Sequence, residues 1–171
     1  MSMEEDPVKI LKEMKKRSAA YKFLHWKASN KKKKMYFSMN IPVVVLSAIT
    51  TAMTFYGISN SSESELALNC VLGTLDVIIL AMSGVSTFTK YGQKSVGHKN
   101  SYMKFDKIIH KINKLLTNTS NINDNFEKIL DKYGDTLQSS EELTERDMSA
   151  LMNACEKQDL SIHDIVTMDI V

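Results

Sequence analysis

The chain has 171 residues, with 22 Lys and Arg against 20 Asp and Glu and a net charge of +2. That length excludes a large multidomain assembly and leaves room for one domain, or for a membrane hairpin with one small helical bundle. The near-neutral total conceals segregation: Met1–Phe37 holds eleven basic residues against four acids, Lys90–Asn118 seven against one, and Thr119–Val171 four against twelve.

Pro7 to about Asn30 predicts a helix, because proline suits a first helical turn. Ile10, Met14, Tyr21, Leu24 and Ala28 recur at helical spacings and form one apolar stripe among lysines. Two readings compete: a helix lying on an anionic membrane surface, or a helix packed against the chain's own C-terminal arm. The start is acidic and then basic, without an early apolar run, so no cleavable signal peptide is expected. Ser2 stands where myristoylation would need glycine. Lys31, Lys32, Lys33 and Lys34 come immediately before an apolar stretch, where a basic run anchors to lipid headgroups.

Met35–Ser62 carries no charged residue, and its apolar heart is Met35–Gly57. Leu66–Thr89 follows with one charge, Asp76. A bilayer span needs roughly 20 mostly apolar residues, and both stretches suffice. The short link ISNSSESE makes them a hairpin with both arms on one side. Lysines Lys31–Lys34 before the first span, and Lys90, Lys94, Lys99 and Lys104 after the second, put both termini on the cytoplasmic side. The Asn60-Ser61-Ser62 sequon lies too near the expected membrane surface for glycosylation to be favoured. Pro42 marks a kink or a helix start, with Tyr36–Asn40 running along the interface. In an antiparallel hairpin Asp76 falls opposite Ser47, with Thr50 one turn away. A mid-bilayer carboxylate costs about 2.5–3.5 kcal/mol on insertion scales, so it must face protein, water or a partner. It either lines an ion pathway with the Ser/Thr face or glues the hairpin or an oligomer as a hydrogen-bonded carboxyl. A pore would require oligomerisation, since one hairpin encloses nothing.

Beyond the spans, Gly92–His98 reads as a short break. Tyr102, Phe105, Ile109, Ile112 and Leu116 then predict a helix over Lys99–Leu116. Asn118–Asn125 reads as a polar linker, and Phe126–Tyr133 as a short helix ended by Gly134. Ser140 or Thr144 caps a further helix carrying Leu143, Met148, Leu151, Met152 and Cys155. The closing SIHDIVTMDIV is too short and mixed to assign. Cys70 and Cys155 are too separated by this topology to pair, and there is no C-x-x-C.

Chemistry-bearing motifs are missing from the sequence: no phosphate-binding glycine loop, H-E-x-x-H or G-x-S-x-G occurs. His25, His98, His110 and His163 are scattered, with no ligand spacing around them. No nucleophile and base stand together. No enzyme activity, cofactor, metal or nucleic-acid partner is expected.

The stretches YKFLHWKASNKKKKMYFSMNIPVVVLSAITTAMTF and GTLDVIILAMSGVSTFTKYGQKSVGHKNSYMKFDKI carry an ordered set of residues. These are Leu24-His25, the lysine run, Ile41-Pro42 with Val45-Leu46-Ser47, and Gly97-His98. In them the chain resembles the two-transmembrane SLATT-type proteins, especially versions encoded by large nucleocytoplasmic DNA viruses. The resemblance covers about Tyr21 to Leu116 and rests on His25, Pro42, Ser47 and His98; the tail lies outside it. It implies either a pore-forming membrane effector, as in bacterial members answering a nucleotide-sensing partner, or a stand-alone viral membrane protein. No fused sensor domain is expected here, and the family fixes no role for Asp76.

The expected fold is all-α: a membrane-spanning helical hairpin with cytoplasmic amphipathic helices before and after it. Four segments are expected: a basic helix at 1–34, the hairpin at 35–89, a basic post-membrane helix at 90–118 and an acidic helical tail at 119–171. The expected function is a non-enzymatic two-pass anchor in a virus-associated membrane, in the virion or the host. A pore-forming effector and an adaptor recruiting a soluble partner are the alternatives. The expected partners are a bilayer, anionic lipid in particular, and further copies of the chain, a capsid or other membrane-associated proteins.

Overall fold

The computed structural model describes residues 6–59, 65–118 and 122–149, and among them there are helices and no strands. Helix α1 runs Pro7–Ser59, α2 Glu65–Thr89, α3 Tyr91–Thr117 and α4 Ile122–Gln138. A further helical turn covers 145–149. The chain divides into two compact units, Met1–Asn30 with Lys94–Val171, and Lys31–Gln93.

Several boundaries differ from the sequence reading, each for a physical reason. The amphipathic helix and the first span are one 53-residue helix, with Pro42 inside it. Lysines are good helix formers, so the Lys31–Lys34 run continues the helix. Proline there removes one backbone donor, and it stands far from either end of a helix that is already nucleated. The expected break at Gly92–His98 is instead the single residue Lys90, in the left-handed region at φ 50°. Gly92 and Gly97 are helical, and both serve close packing. A methyl group at Gly92 would lie 3.1 Å from the Tyr36 ring, and at Gly97 it would meet the Glu141 carboxylate. Likewise Gly134 does not end α4, which continues to Gln138. Helix α4 also begins earlier than expected, at Ile122, so the second half of the predicted linker is helical; Asn118 is not, and 119–121 are outside the described residues.

The unit formed by the chain's two arms has an apolar core of Leu11, Met14, Phe105, Ile108, Ile112, Ile122 and Ile129. Side chains spaced three and four apart share one helix face, so each helix supplies a stripe. On α4 that stripe is Ile122, Phe126, Ile129, Tyr133 and Thr136, three of them buried and the two aromatics partly buried against the core. Leu11, Phe105 and Ile112 are completely buried. Each such side chain contributes about 1.5–3 kcal/mol on leaving water. The α1 stripe is therefore covered by the chain's own C-terminal arm, the plainer of its two readings. Thr144 caps the last helical turn: its carbonyl accepts from the Asp147 amide at 2.9 Å, and its hydroxyl bonds Asp147 Oδ2 at 2.6 Å. Ser140 instead bonds back to the Thr136 carbonyl at 2.5 Å. Leu151, Met152, Cys155 and the closing segment lie outside the described residues, as does Asn60 of the sequon.

The second unit comprises the later part of α1, α2, Lys90 and the first residues of α3. Ser86 Oγ donates to Asn40 Oδ1 at 3.2 Å, tying α1 to α2. Asn40 Nδ2 also donates to the Tyr36 carbonyl at 2.8 Å.

Candidate functional site

Two helices are long and apolar enough to cross a membrane, and their most apolar stretches are almost wholly unburied. The core helix of a water-soluble protein would bury that stretch. Here Val44, Val45, Ile49 and Phe55 of α1 are exposed, and so are Val77, Leu80, Val85 and Phe88 of α2. Leu80 is 73 % exposed and Phe88 87 %. Contiguous apolar surface on this scale marks a site of interaction rather than a free aqueous surface.

The threonine hydroxyls of these apolar stretches are satisfied locally. Thr50 and Thr51 both donate to the Ser47 carbonyl, at 3.0 and 2.7 Å, and Thr54 to Thr50 at 2.8 Å. Thr74 bonds to Cys70, Thr87 to Ser83 and Thr89 to Val85, at 2.8–2.9 Å. Hydroxyls closed onto the preceding turn need no water, so the helix surface stays compatible with hydrocarbon. Thr50 is buried and bonded within its own helix, whereas Asp76 is exposed and has no hydrogen-bond or ion-pair partner among the described residues. Among the described residues no hydrogen bond links Asp76 to Ser47 or Thr50.

The expected interface lysines are mostly exposed. Lys32 lies over the Tyr91 ring at 5.6 Å and Lys33 over Phe37 at 6.0 Å, while Lys34, Lys90 and Lys94 are exposed. Lys31 is exposed as well. Aromatic rings under lysine stems suit a headgroup boundary, where one end is apolar and the other charged.

A second constellation sits inside the arm unit. His25 of α1 and His98 of α3 are 1 % and 2 % exposed, with their Nδ1 atoms 3.2 Å apart. His25 stacks on Phe105 at 5.6 Å between ring centres, and Phe105 stacks on Tyr21 at 5.2 Å. Burial, and then the neighbouring His98, push the His25 pKa down to about 4. One turn away the Ser29 hydroxyl donates to the Ser95 carbonyl at 2.9 Å, and Ser95 returns a bond to the Ser29 carbonyl at 3.0 Å. In the other direction Lys22 pairs with Asp106 at 2.7 Å and lies 5.4 Å from the centre of the Tyr102 ring. The Ser101 hydroxyl accepts from the Glu141 amide and donates to the Gly97 carbonyl.

Of the four positions that carried the resemblance, the structure brings His25 and His98 together; Pro42 and Ser47 belong to the other unit. The reading of scattered histidines missed this pair because 73 residues separate its members. A signal was present: Ser18, Lys22, His25 and Ser29 are spaced four, three and four, and Ser95, His98 and Tyr102 answer with three and four. Among the described residues no three His, Cys, Asp or Glu side chains gather as metal ligands. A pair of histidines alone is short of the three or four ligands of a protein metal centre. Neither the scan of family models nor the searches of curated proteins and of solved structures found a match to this chain.

Proposed function

We propose that the protein is a non-enzymatic, two-pass integral membrane anchor whose basic helical arms sit on the cytoplasmic side. The observation that carries this reading is the pair of long apolar helices whose outer faces are left uncovered. Helix α2 carries enough apolar residues to offset Asp76. Its eleven Leu, Ile, Val and Phe residues contribute roughly −3 to −7 kcal/mol at about −0.3 to −0.6 each. One carboxylate opposes them by about 2.5–3.5 kcal/mol. The lysines that flank the spans favour both ends on the non-translocated side, against anionic headgroups. The resemblance to viral SLATT-type proteins makes a virion internal membrane, or a host membrane carrying viral protein, the candidate location. In such a membrane the arms would contact a capsid, other membrane proteins or sister subunits.

Single cysteines at Lys15, Ser61 and Ser140, in a chain with Cys70 and Cys155 replaced by serine, test the topology. A membrane-impermeant reagent is expected to label positions 15 and 140 from one side and 61 from the other. Labelling of all three from one side would remove the two-pass reading.

Asp76 favours a second reading, an oligomeric pore. It is exposed and unpartnered on α2 while the neighbouring threonines are satisfied, so it is the group on that helix most in need of water or a partner. Asp76→Asn retains shape and removes charge. If the anchor reading holds, the variant inserts and assembles as the wild type does and neither conducts ions in proteoliposomes. Wild-type flux abolished by Asp76→Asn, with assembly intact, establishes the pore instead.

A further inference from the structure

We propose that copies of the chain join through their arm units, the lysine-bordered outer face of α3 in one copy seating on the acid-bordered outer face of α4 in the next. This deepens the anchor reading and rests on it, because anchoring brings the arm units of all copies to one side of one membrane.

On α3 and α4 the exposed large apolar side chains are Val96 and Met103, 58 % and 46 % exposed, and Leu130 and Leu137, 45 % and 39 % exposed. Apolar residues exposed singly need no explanation. These come as two pairs, each seven residues apart, the interval at which a helix returns the same face to a helical partner. Their borders carry opposite charge. Lys99, Lys107 and Lys114 are exposed and lie within about a quarter turn of the Val96–Met103 line. Asp106, the one acid of α3, is paired with the buried Lys22. On α4 the exposed Glu127 and Asp131 stand three residues before Leu130 and one after it. Between the leucines Gly134 leaves open space into which a neighbouring side chain can enter. Apolar centres with opposite charges at their borders are complementary, and the charges fix the register.

Within one chain these faces point apart. Lys104 Nζ donates to the Ser139 carbonyl at 3.0 Å, and seven residues further along α3 Lys111 lies beside Lys132 of α4. The two helices therefore run antiparallel, with the Lys128–Lys132 side of α4 toward α3. Lys128 and Lys132 stand two residues to either side of Leu130, about half a turn round the helix. The leucines and their acids are thus turned away from α3. Val96 and Met103 likewise lie on the side of α3 opposite the buried Phe105, Ile108 and Ile112. The acids of α4 can meet this face of α3 only in another copy. Each copy offers one face of each kind, so the contact is heterologous, and in a membrane plane it continues into a closed ring or a row.

The test uses the full chain with Cys70 and Cys155 replaced by serine, reconstituted in phosphatidylcholine vesicles. Met103→Cys and Leu130→Cys are carried on separate chains and mixed, and a short bismaleimide traps neighbours. The mixed pair is expected to bridge at least about fivefold faster than either variant alone, and than Met103→Cys mixed with Glu142→Cys, an exposed position outside both faces. Lys99→Glu/Lys107→Glu on the first chain should cut the rate about fivefold or more, and Glu127→Lys/Asp131→Lys on the second should restore it to within about twofold. Bridging no faster than the control, or equally fast within one variant, overturns the proposal. So does a rate that charge reversal leaves unchanged or that the second reversal does not restore. Loss of bridging in vesicles containing phosphatidylserine overturns it too, and gives the lysine face to anionic headgroups. Topology labelling at positions 15, 61 and 140 in parallel samples separates the two readings. Two-pass labelling without the mixed bridge defeats this proposal alone, whereas labelling from one side defeats the anchor.

Discussion

Ser18 shows how one atom's surroundings set the sign of a substitution. Its Oγ is buried and has no hydrogen-bond partner among the described residues. A desolvated hydroxyl costs about 1–3 kcal/mol when nothing bonds it. Ser18→Ala removes that cost and adds the best helix former, so a gain of about 0.5–1 kcal/mol is expected. Phe105→Ala, by contrast, empties a fully buried position under two stacked rings and should cost about 3–5 kcal/mol. Denaturant unfolding in micelles, followed through Trp26, measures both. A loss in Ser18→Ala would show that its hydroxyl is bonded after all. The polar residues on the same seam differ from Ser18 because each has a partner. Lys22 is paired to Asp106 and Ser29 to Ser95, and truncating one member leaves the other stranded.

At the scale of the element, glycines separate what sequence pattern conveys from what packing decides. Gly134 sits within α4, without positive φ and with open space where a methyl group would go. Gly134→Ala should therefore stabilise α4 by up to about 1 kcal/mol, raising the unfolding midpoint of the arm unit. Gly92→Ala should gain less than Gly134→Ala, because the Tyr36 ring must give by a few tenths of an ångström. An equal gain at both positions would mean that this ring contact is absent in solution. The same contrast explains how much of the fold was legible. The two apolar stretches and the amphipathic stripes are periodic signals carried by many residues, and α2 matches its predicted span to within one residue. Breaks were read from single residues, and these misled. Gly92, Gly97 and Gly134 look like punctuation, yet two of them make room for side chains distant in sequence and the third simply tolerates the helix. The turn that does occur falls on Lys90, a residue type without turn preference. Of the candidate site, Asp76 was legible as an oddity but its exposure was not. The His25–His98 pairing depends on the register of two distant helices, which no local pattern fixes.

For the whole molecule, charge segregation is the remaining large-scale feature. Helices α1 and α3 bring basic arms into one unit with α4, whose exposed Glu127, Asp131 and Asp135 follow one another at intervals of four. Two readings of these acids differ in consequence. Either they screen the lysines and weaken their hold on anionic lipid, or they are solvated and indifferent to it. Deleting the tail cannot distinguish the two, because Ile122 and Ile129 belong to the core and would be lost with it. Neutralising the three exposed acids, as Glu127→Gln, Asp131→Asn and Asp135→Asn, changes charge and leaves the buried stripe intact. A basic residue near an anionic surface is worth about 1 kcal/mol, and partial release of two or three lysines from screening corresponds to a several-fold change. The triple variant, reconstituted in mixed vesicles, is expected to enrich anionic lipid around itself about two- to fivefold more than the wild type at low salt. Energy transfer from Trp26 to a labelled anionic lipid reads that enrichment. The difference should vanish by about 0.5 M salt, where the Debye length falls to a few ångströms. Equal enrichment at low salt would show that the acids of α4 do not act on the basic arms. A difference that survives high salt would assign it to altered packing rather than to charge.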